Sequence, residues 1–362
     1  MDIDIFQNFY KNKKVLVTGH SGFKGSWLSL WLHQLGAKVY GLSKNILTVP
    51  SFNEILKNKK VFQKQFFFDV NDMEELTNTI KTVKPDLIFH LAAQALVSVS
   101  YEDPYDTIKS NVLGTTSLLE VLRLYENDCT AVVITSDKVY KNVEQLWGYK
   151  ENDLIGGSDI YSGSKGAADI IINSYYKSFF SNKNKNINLV STRAGNVIGG
   201  GDWSKDRLIV DAIKSWNKNE KLKIRFPKAT RPWQHVLEPI SGYLSLGHSA
   251  HYKNNLGEAF NFGPKNDSVF SVETLIYKLS NLWFEDNDKH YEIIGSDFKE
   301  SRLLSLNCEK ASNLLGWKPI LDFDLTLKFT VSWYKAFYAK KNMYDFSLRQ
   351  ISEFVQKHKQ KS

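Results

Sequence analysis

The chain has 362 residues, a formal net charge of +8 and two cysteines. This length suffices for a large core in about two lobes. Two cysteines are too few for a disulfide framework, which predicts a reducing, cytoplasmic location. No apolar stretch is long enough to cross a membrane, and residues 1–6 lack the features of a signal peptide.

The basic residues are scattered, apart from a short basic tail at 358–361. Nucleic-acid-binding proteins usually carry dense basic patches, so we expect neither a nucleic-acid partner nor a membrane partner. The positive balance instead suits a small anionic substrate, such as a diphosphate ester.

A glycine-rich turn joins the first predicted strand, residues 15–17, to a predicted helix. Gly19, Gly22 and Gly25 recur at every third position. Glycines of this kind let backbone N–H groups approach a pyrophosphate that lies at a helix N-terminus. The same glycines could form an ordinary turn, but a second predicted strand, 38–42, follows at the distance expected for a βαβ unit. This context favours a dinucleotide-binding turn.

The end of the second predicted strand carries no acidic side chain. An acid at this place usually holds the ribose hydroxyls of an adenosine. Ser43 could hydrogen-bond a ribose, whereas Lys44 could meet a 2′-phosphate. These residues therefore leave the choice between NAD and NADP open.

Two further strand ends are candidates for cofactor contacts. Asp69 and Val70 follow a predicted strand at 61–68. Asp69 is expected to accept a hydrogen bond from an adenine amino group, to cap the helix that begins near Met73, or to do both. Another predicted strand begins at residue 85 and runs into small side chains, which would allow a cofactor to lie close to the backbone.

The fifth predicted strand, residues 130–138, ends in three polar residues, Ser136, Asp137 and Lys138. The carboxyl ends of strands are the places where α/β sheets carry their chemistry. A plain turn is the alternative interpretation of these residues.

Tyr161 and Lys165 open a predicted apolar helix that continues to residue 180. Residues four apart share a helix face, and a lysine near a tyrosine favours the phenolate and lowers the phenol pKa. The result would be a base near neutral pH. The same spacing also occurs elsewhere, at Tyr10/Lys14, Tyr40/Lys44 and Tyr105/Lys109. Tyr161 alone opens the helix after the strand that ends in Ser136.

Together these motifs resemble the extended short-chain dehydrogenase/reductase family of nucleotide-sugar enzymes, over nearly the whole chain. Longer stretches are similar to the CDP-glucose branch of the 4,6-dehydratases in that family: residues 19–27, 90–94, 135–140, 147–151, 192–203, 231–239 and 314–319.

The resemblance implies a Rossmann-type, doubly wound parallel α/β sheet with a smaller mixed α/β substrate lobe. The dinucleotide-binding domain would comprise residues 1–195 and 236–263. The nucleotide-sugar lobe would comprise 196–235 and 264–345, followed by an exposed terminal helix and tail at 346–362. By analogy with the family, we expect a homodimer or homotetramer.

The resemblance also implies an internal redox cycle on CDP-glucose, with NAD as the cofactor. Tyr161, assisted by Lys165, would take the C4 hydroxyl proton while hydride passes to the cofactor, and Ser136 would hydrogen-bond the C4 oxygen. Water would then leave across C5 and C6, with Asp137 protonating the departing hydroxyl. The implied cofactor contacts are Gly19, Ser21, Gly22, Phe23, Lys24, Gly25, Ser43, Asp69, Val70, Leu91, Ala92, Ala93, Tyr161 and Lys165.

Lys138 stands where related dTDP-glucose and GDP-mannose dehydratases have a glutamate as the C5 base. A lysine at this place resembles the CDP-glucose branch instead. A charged lysine cannot remove a proton. Lys138 would act as a base if burial or nearby cations lowered its pKa, and otherwise as a cation that stabilises the C5 carbanion. Both roles stay open.

The implied substrate contacts are Gln94, Asn196, Arg207, Arg231 and Glu300. Arg231 is expected to clamp the diphosphate, because guanidinium groups match phosphate oxygens. Arg207 is expected either to do the same or to form a surface ion pair. Family members often have a His-Glu pair where this chain has Lys299-Glu300, which weakens the prediction for Glu300. His235 has no partners at ligand spacing, so no metal is expected.

Two other functions remain as alternatives. An epimerase or a net oxidoreductase acting on another nucleotide sugar would not need Asp137 and Lys138 for water loss. A cofactor-sensing binding protein without catalysis would not need intact Ser136, Tyr161 and Lys165.

Overall fold

The computed structural model describes residues 3–57, 59–182, 186–265, 269–294 and 303–361. In the first third of the chain, strands alternate with helices. These elements are β1 (Lys14–Thr18), α1 (Phe23–Gln34), β2 (Lys38–Ser43), α2 (Phe52–Lys57), β3 (Phe62–Phe67), α3 (Met73–Val83), β4 (Leu87–His90), α4 (Val97–Glu102), α5 (Pro104–Ile108), α6 (Gly114–Arg123) and β5 (Cys129–Ile134). A π-helical turn, Lys109–Leu113, joins α5 to α6.

The middle of the chain begins with a short 3₁₀ turn, Asp137–Val139. It continues with α7 (Ile160–Tyr175), β6 (Ile187–Ala194), β7 (Val197–Ile198), α8 (Leu208–Trp216), β8 (Leu222–Ile224), β9 (Thr230–Pro232), β10 (Gln234–His235), α9 (Leu237–His251) and β11 (Ala259–Phe262). The last elements are β12 (Val269–Ser271), α10 (Val272–Phe284), β13 (Tyr291–Ile293), α11 (Glu309–Leu315), α12 (Phe323–Tyr338) and α13 (Met343–Lys361).

Seven parallel strands form the main sheet, in the order β11-β6-β5-β4-β1-β2-β3. Strands β4 and β5 are buried along their whole length, as expected for parallel strands covered on both faces. The chain runs outward from β1 to β3 and then returns to β4 on the other side of β1. This reversal creates a crevice between β1 and β4, where ligands bind in open α/β sheets.

Alternating side chains of the strands contribute to two apolar layers, one on each face of the sheet. Val15 and Val17 belong to the layer that contains Trp27 of α1, whereas Leu16 belongs to the layer that contains Ile172 of α7. This alternation follows from the two-residue period of a strand. The predicted Rossmann-type doubly wound sheet is therefore confirmed.

Smaller pairs of strands complete the structure outside the main sheet. β10 pairs with β7, β12 with β9 and β13 with β8. β11 extends the main sheet beside β6. The division into two lobes stays a prediction. In the described residues, no helix is long and apolar enough to cross a membrane.

The expectation of an exposed terminal helix is wrong. Helix α13 buries Ile351, Phe354 and Val355, and Phe354 meets the ring of Trp31 edge-on at 5.7 Å. The Lys361 ammonium, in the last turn, donates to the carbonyl of Ile320 at 2.6 Å. Polar residues dominate this stretch of sequence, but its apolar residues recur at helical spacing and form a stripe that packs on the core.

A buried carboxyl group joins α9 to the segment that precedes α12. Glu238 is 1% exposed, and its Oε1 accepts hydrogen bonds from the backbone N–H groups of Ile320 at 2.9 Å and Leu321 at 2.5 Å. Burial raises the pKa of Glu238 to about 8, although the two N–H groups lower it in part. The neutral acid therefore predominates at neutral pH.

Glu238→Gln should change how stability depends on pH. A carboxyl group with a raised pKa in the folded state stabilises the fold below its unfolded pKa, and that contribution is lost as pH rises through the folded pKa. The wild-type protein should therefore lose stability relative to Glu238→Gln between about pH 4.5 and pH 8. We expect the difference in unfolding free energy, measured by urea denaturation, to change by at least about 1 kcal/mol across this window. A pH-independent difference would contradict the assignment.

Candidate active site

Any side chain at Gly19 or Gly25 of the glycine-rich turn would clash with neighbouring backbone atoms. Gly19 has a φ of +73°, and a Cβ atom there would lie 2.7 Å from the backbone nitrogen of Ala92. A Cβ atom on Gly25 would lie 2.1 Å from the carbonyl oxygen of Gly19. Helix α1 begins directly after Gly22 with no side-chain cap. The first turn of α1 thus has uncapped N–H groups beside an open backbone cradle, which fits a pyrophosphate.

The ends of β2 and β3 hold the residues predicted to contact adenosine. The Ser43 hydroxyl accepts a hydrogen bond from the Ser21 N–H at 3.2 Å and lies 3.0 Å from Nδ1 of His20. The expectation that Asp69 caps the next helix is wrong, because Asp72 caps α3 by accepting from the Glu75 N–H at 3.1 Å. Asp69 thus stays a candidate adenine contact only.

The end of β4 forms the floor of the crevice. Leu91, Ala92 and Ala93 are each partly exposed there, and Val70 packs nearby against the position of Gly114. His90, which sequence reasoning did not assign to the site, lies 2.8 Å from the Thr18 hydroxyl.

Burial, with a smaller effect of the Lys165 charge, lowers the pKa of His90 to about 3. The ring is therefore neutral. It supports the floor of the crevice without adding charge to it.

Tyr161 and Lys165 lie one turn apart at the start of α7, and both are buried. Asp159 caps this helix by accepting from the Ser162 N–H at 2.9 Å, which explains why the helix begins here. The Ser136 hydroxyl lies close enough to the Tyr161 phenol to lower its pKa in part. The structure therefore brings together the predicted hydroxyl, phenol and ammonium groups.

The pKa values of this pair differ from the sequence-based expectation. Burial raises the pKa of Tyr161, and the Arg207 charge and the Ser136 hydrogen bond lower it only in part. Burial, with a contribution from the Lys24 charge, lowers the pKa of Lys165 to about 7. The net pKa of Tyr161 is therefore raised, whereas the sequence predicted a lowered value. The positive charge of an oxidised nicotinamide would act in the expected direction.

A second polar group follows β5. The Ser136 hydroxyl donates to Oδ1 of Asp137 at 2.9 Å and accepts from the Lys138 N–H at 3.2 Å. Burial raises the pKa of Asp137, against the lowering effects of Lys138, Ser136, Lys24 and Arg231. A carboxyl group with a raised pKa can donate a proton near neutral pH. Lys138 is partly exposed beside it.

Lys24 lies on the opposite wall, in the first turn of α1. Burial and the Arg207 charge lower the pKa of Lys24 to about 8, against the effects of Asp137 and Asp202. The glycine-rich turn and the end of β5 thus face each other closely enough for their charges to interact.

Sequence reasoning missed Asn111, a buried residue in the π-helical turn. Its side-chain amide donates to the Ser164 hydroxyl at 2.9 Å, and its Oδ1 accepts from the Gln94 N–H at 2.8 Å. Gln94 itself donates to the Thr107 hydroxyl at 2.9 Å. These bonds tie α7 to the segment after β4. A polar residue at the start of a largely apolar stretch was the available signal.

The predicted substrate residues lie around the same crevice, except where the structure does not describe them. Arg231 is buried on β9, and its charge acts on Asp137. Arg207 is exposed before α8, donates to the carbonyl of Ala95 at 3.1 Å, and its charge acts on Tyr161. Asn196 is partly buried just after β6. Glu300 lies outside the described residues.

His235 is fully buried against Trp27 and Phe329, and burial lowers its pKa to about 3. Such a ring is a packing element. Within the described ranges, no group of three or more His, Cys, Asp and Glu side chains could hold a metal ion.

A buried ion pair holds the helix that carries Tyr161. Asp169 of α7 pairs with Arg193 of β6, and both side chains are at most 4% exposed. Arg193 also donates to the Tyr140 hydroxyl at 2.8 Å and to the carbonyl of Glu151 at 2.9 Å. This network fixes α7 against the sheet one turn beyond Lys165.

The parallel sheet, the glycine cradle and the Ser136-Tyr161-Lys165 group define a short-chain dehydrogenase/reductase. The sequence profile of one family, GDP-mannose 4,6 dehydratase, matches residues 16–330. The chain belongs to this family.

The chain is 43% identical over 356 residues to CDP-glucose 4,6-dehydratase of Salmonella typhimurium, covering 97% of this chain and 98% of the relative. It is 26% identical to dTDP-glucose 4,6-dehydratase of Haemophilus influenzae, covering 88% and 97% of the two chains. The fold is similar to that of a solved dTDP-glucose 4,6-dehydratase of Bacillus anthracis in complex with NAD, with a TM-score of 0.76, 24% identity, and coverage of 91% and 99%.

Asp169→Ala should strongly destabilise the protein, because it leaves the Arg193 charge buried without its partner. We expect the free energy of unfolding to fall by about 3–5 kcal/mol. The matched control is Asp324→Ala, which removes a 74% exposed carboxylate from its pair with Lys278 and should cost far less. Equal losses for the two variants, measured by chemical denaturation, would refute a structural role for the buried pair.

Proposed function

We propose that this protein removes water from CDP-glucose and forms CDP-4-keto-6-deoxyglucose, with NAD as a cofactor that is regenerated in each cycle. The observation that carries the proposal is the position of Asp137 and Lys138 beside Ser136 and Tyr161. A base for the oxidation of a hydroxyl and an acid for elimination would thus share one crevice. The 43% identity to a CDP-glucose 4,6-dehydratase over 97% of the chain supports the choice of substrate.

The glycine cradle and the uncapped first turn of α1 fit the cofactor. Gly19, Gly22 and Gly25 would leave room for its pyrophosphate, together with Ser21, Phe23 and Lys24. Leu91, Ala92 and Ala93 would lie beneath it, and Ser43, Asp69 and Val70 would surround its adenosine. When bound, NAD would supply the redox chemistry, which is hydride acceptance from C4 of the sugar and hydride return to C6.

The first chemical task of the protein is to remove the proton of the C4 hydroxyl. Tyr161 would accept this proton, while Ser136 holds the oxygen by a hydrogen bond. Lys165, buried one turn further along α7, would support the phenolate whenever it carries its own proton. C4 becomes a ketone, and the ketone acidifies the proton on C5.

Elimination then breaks the C5–H and C6–O bonds and forms the C5–C6 double bond. Asp137 would give its proton to the departing C6 hydroxyl, which leaves as water. Lys138 would either take the C5 proton or stabilise the negative charge that develops when this proton leaves. After reduction at C6, a proton returns to C5 and the C4 ketone remains.

Positively charged groups suit the diphosphate of the substrate. Arg231 can present two N–H groups to phosphate oxygens, and Arg207 stands at the rim as a second cation. Asn196 would add an amide contact. The Gln94 side-chain amide donates to the Thr107 hydroxyl and accepts from the Leu96 N–H, so its proposed contact with substrate would use the second N–H or the second lone pair of the amide. Glu300 stays a candidate sugar contact.

Incubation of the purified protein with CDP-glucose tests the function directly. A 4-keto-6-deoxy product should form with only catalytic amounts of cofactor, and dTDP-glucose and GDP-mannose should turn over more slowly. Accumulation of NADH in proportion to substrate would instead indicate a net oxidoreductase, and a C4-epimerised product would indicate an epimerase.

Two substitutions should separate the half-reactions. Tyr161→Phe removes the base, so substrate should bind without reducing the cofactor, and turnover should fall by at least about 100-fold. Lys138→Met should allow the first oxidation but slow elimination, so reduced cofactor should accumulate at 340 nm in a single turnover. Normal turnover by Tyr161→Phe, or no reduced cofactor in Lys138→Met, would contradict these roles.

We also propose that two copies of this chain associate through α7 and the helix α5–α6, giving a homodimer or, with a further contact, a homotetramer. Ile108, Leu113 and Ile170 on these packed helices are 43%, 50% and 52% exposed. An apolar surface on two adjacent helices suits a symmetric helical interface.

Ile170→Asp should weaken this association, because it places a charge in the apolar contact. Light scattering at low micromolar concentration should then report a smaller species than the wild-type protein. Leu314→Asp, at a 55% exposed site on α11, is the control and should leave the mass unchanged. A wild-type monomer would exclude the proposed interface.

A further inference from the structure

Lys44, the first residue after β2, lies between two carboxylates from other elements. Its ammonium is 3.2 Å from Asp69, which follows β3, and 3.8 Å from Asp106 in the first turn of α5. Asp103 caps α5 by accepting from the Asp106 N–H at 2.9 Å, and its charge also acts on Lys44. Two carboxylates therefore lie beside one positive charge at this strand end, and the charge of a third acts on it.

The position of this cluster matters because the end of the second strand borders the adenosine ribose in dinucleotide-binding folds. An acid there favours the free 2′-hydroxyl of NAD, whereas a cation accommodates the 2′-phosphate of NADP. This chain has a cation and no acid at the strand end itself. Taken alone, Lys44 would favour NADP.

Other groups at the strand end do not add positive charge. Burial lowers the pKa of His20, and the hydrogen bonds that the ring makes to Leu42 and Gln65 raise it only in part, so burial favours the neutral ring. Its Nε2 lies 2.8 Å from Oε1 of Gln65, and its Nδ1 lies 3.0 Å from the Ser43 hydroxyl. The ring is thus fixed by its neighbours, and the local charge depends on Lys44 and the three aspartates.

We propose that Asp69 and Asp106 hold Lys44 and supply, from β3 and α5, the negative charge that makes this site select NAD over NADP. The inference rests on the proposed cofactor site and deepens it. A 2′-phosphate would have to draw Lys44 away from its two carboxylates and approach Asp103 as well. A ribose with a free 2′-hydroxyl meets no such repulsion and can hydrogen-bond to Ser43.

Asp106→Asn is the informative substitution. It keeps the shape of the side chain and removes one of the charges that hold Lys44, and Asp106 is not among the residues proposed to bind cofactor or substrate. Asp69 is less suitable because it is a proposed adenine contact. The full-length protein, freed of bound nucleotide, would be titrated separately with NAD⁺ and with NADP⁺ by calorimetry.

The wild-type protein should bind NAD⁺ more tightly than NADP⁺. In Asp106→Asn the Kd for NADP⁺ should fall by roughly three- to tenfold, and the Kd for NAD⁺ should change less than about twofold. The control is Glu102→Gln, which removes a carboxylate from the neighbouring helix α4, where Glu102 pairs with Lys205 at 2.8 Å. This control should leave the preference unchanged.

The proposal is overturned if wild-type protein binds both cofactors equally, if Asp106→Asn leaves the preference unchanged, or if Glu102→Gln produces the same gain for NADP⁺. Failure of wild-type protein to bind either cofactor would refute the proposed cofactor site itself. These two failures can be told apart. If only the inference fails, the protein still binds NAD⁺ tightly, but Asp106→Asn does not lower the Kd for NADP⁺ as predicted.

Discussion

The close approach of three backbone segments around Gly19 determines where the rest of the site lies. A Cβ atom at Gly19 would meet the backbone of residue 92 at 2.7 Å, and one at Gly25 would meet the Gly19 carbonyl at 2.1 Å. Because β1 and β4 are neighbours in the sheet, this contact sets the start of α1 against the end of β4. The cofactor cradle and the polar end of β5 consequently share one edge of the sheet.

Burial then adjusts the chemistry of that edge. It lowers the pKa of Lys165 to about 7 and that of Lys24 to about 8, while it raises the pKa of Asp137. Each group moves toward a state in which both of its protonation forms are accessible near neutral pH. Acid–base catalysis benefits from such values. The charge of Arg231 counteracts part of the burial effect at Asp137, whereas the charge of Arg207 adds to the lowering of the Lys24 pKa.

The sequence predicted those features that depend on local patterns. The glycine spacing, the polar end of β5 and the helix that begins at Tyr161 were all visible in short stretches. Features that depend on distant partners were not. Asn111 gains its importance from Ser164 and Gln94, and the charge at Lys44 depends on Asp106, which is far away in sequence. Glu300 and its neighbours are not described, so that part of the site stays a sequence prediction.

The buried stripe of α13 has a practical consequence for handling the protein. Phe354 covers Trp31, and Lys361 is bonded to Ile320 in the final turn. Shortening the chain by even a few turns at this end would uncover aromatic core surface and invite aggregation. An affinity tag fused directly after residue 362 would begin next to the last packed turn of α13. A flexible spacer, or a tag at the other terminus, would leave that packing intact.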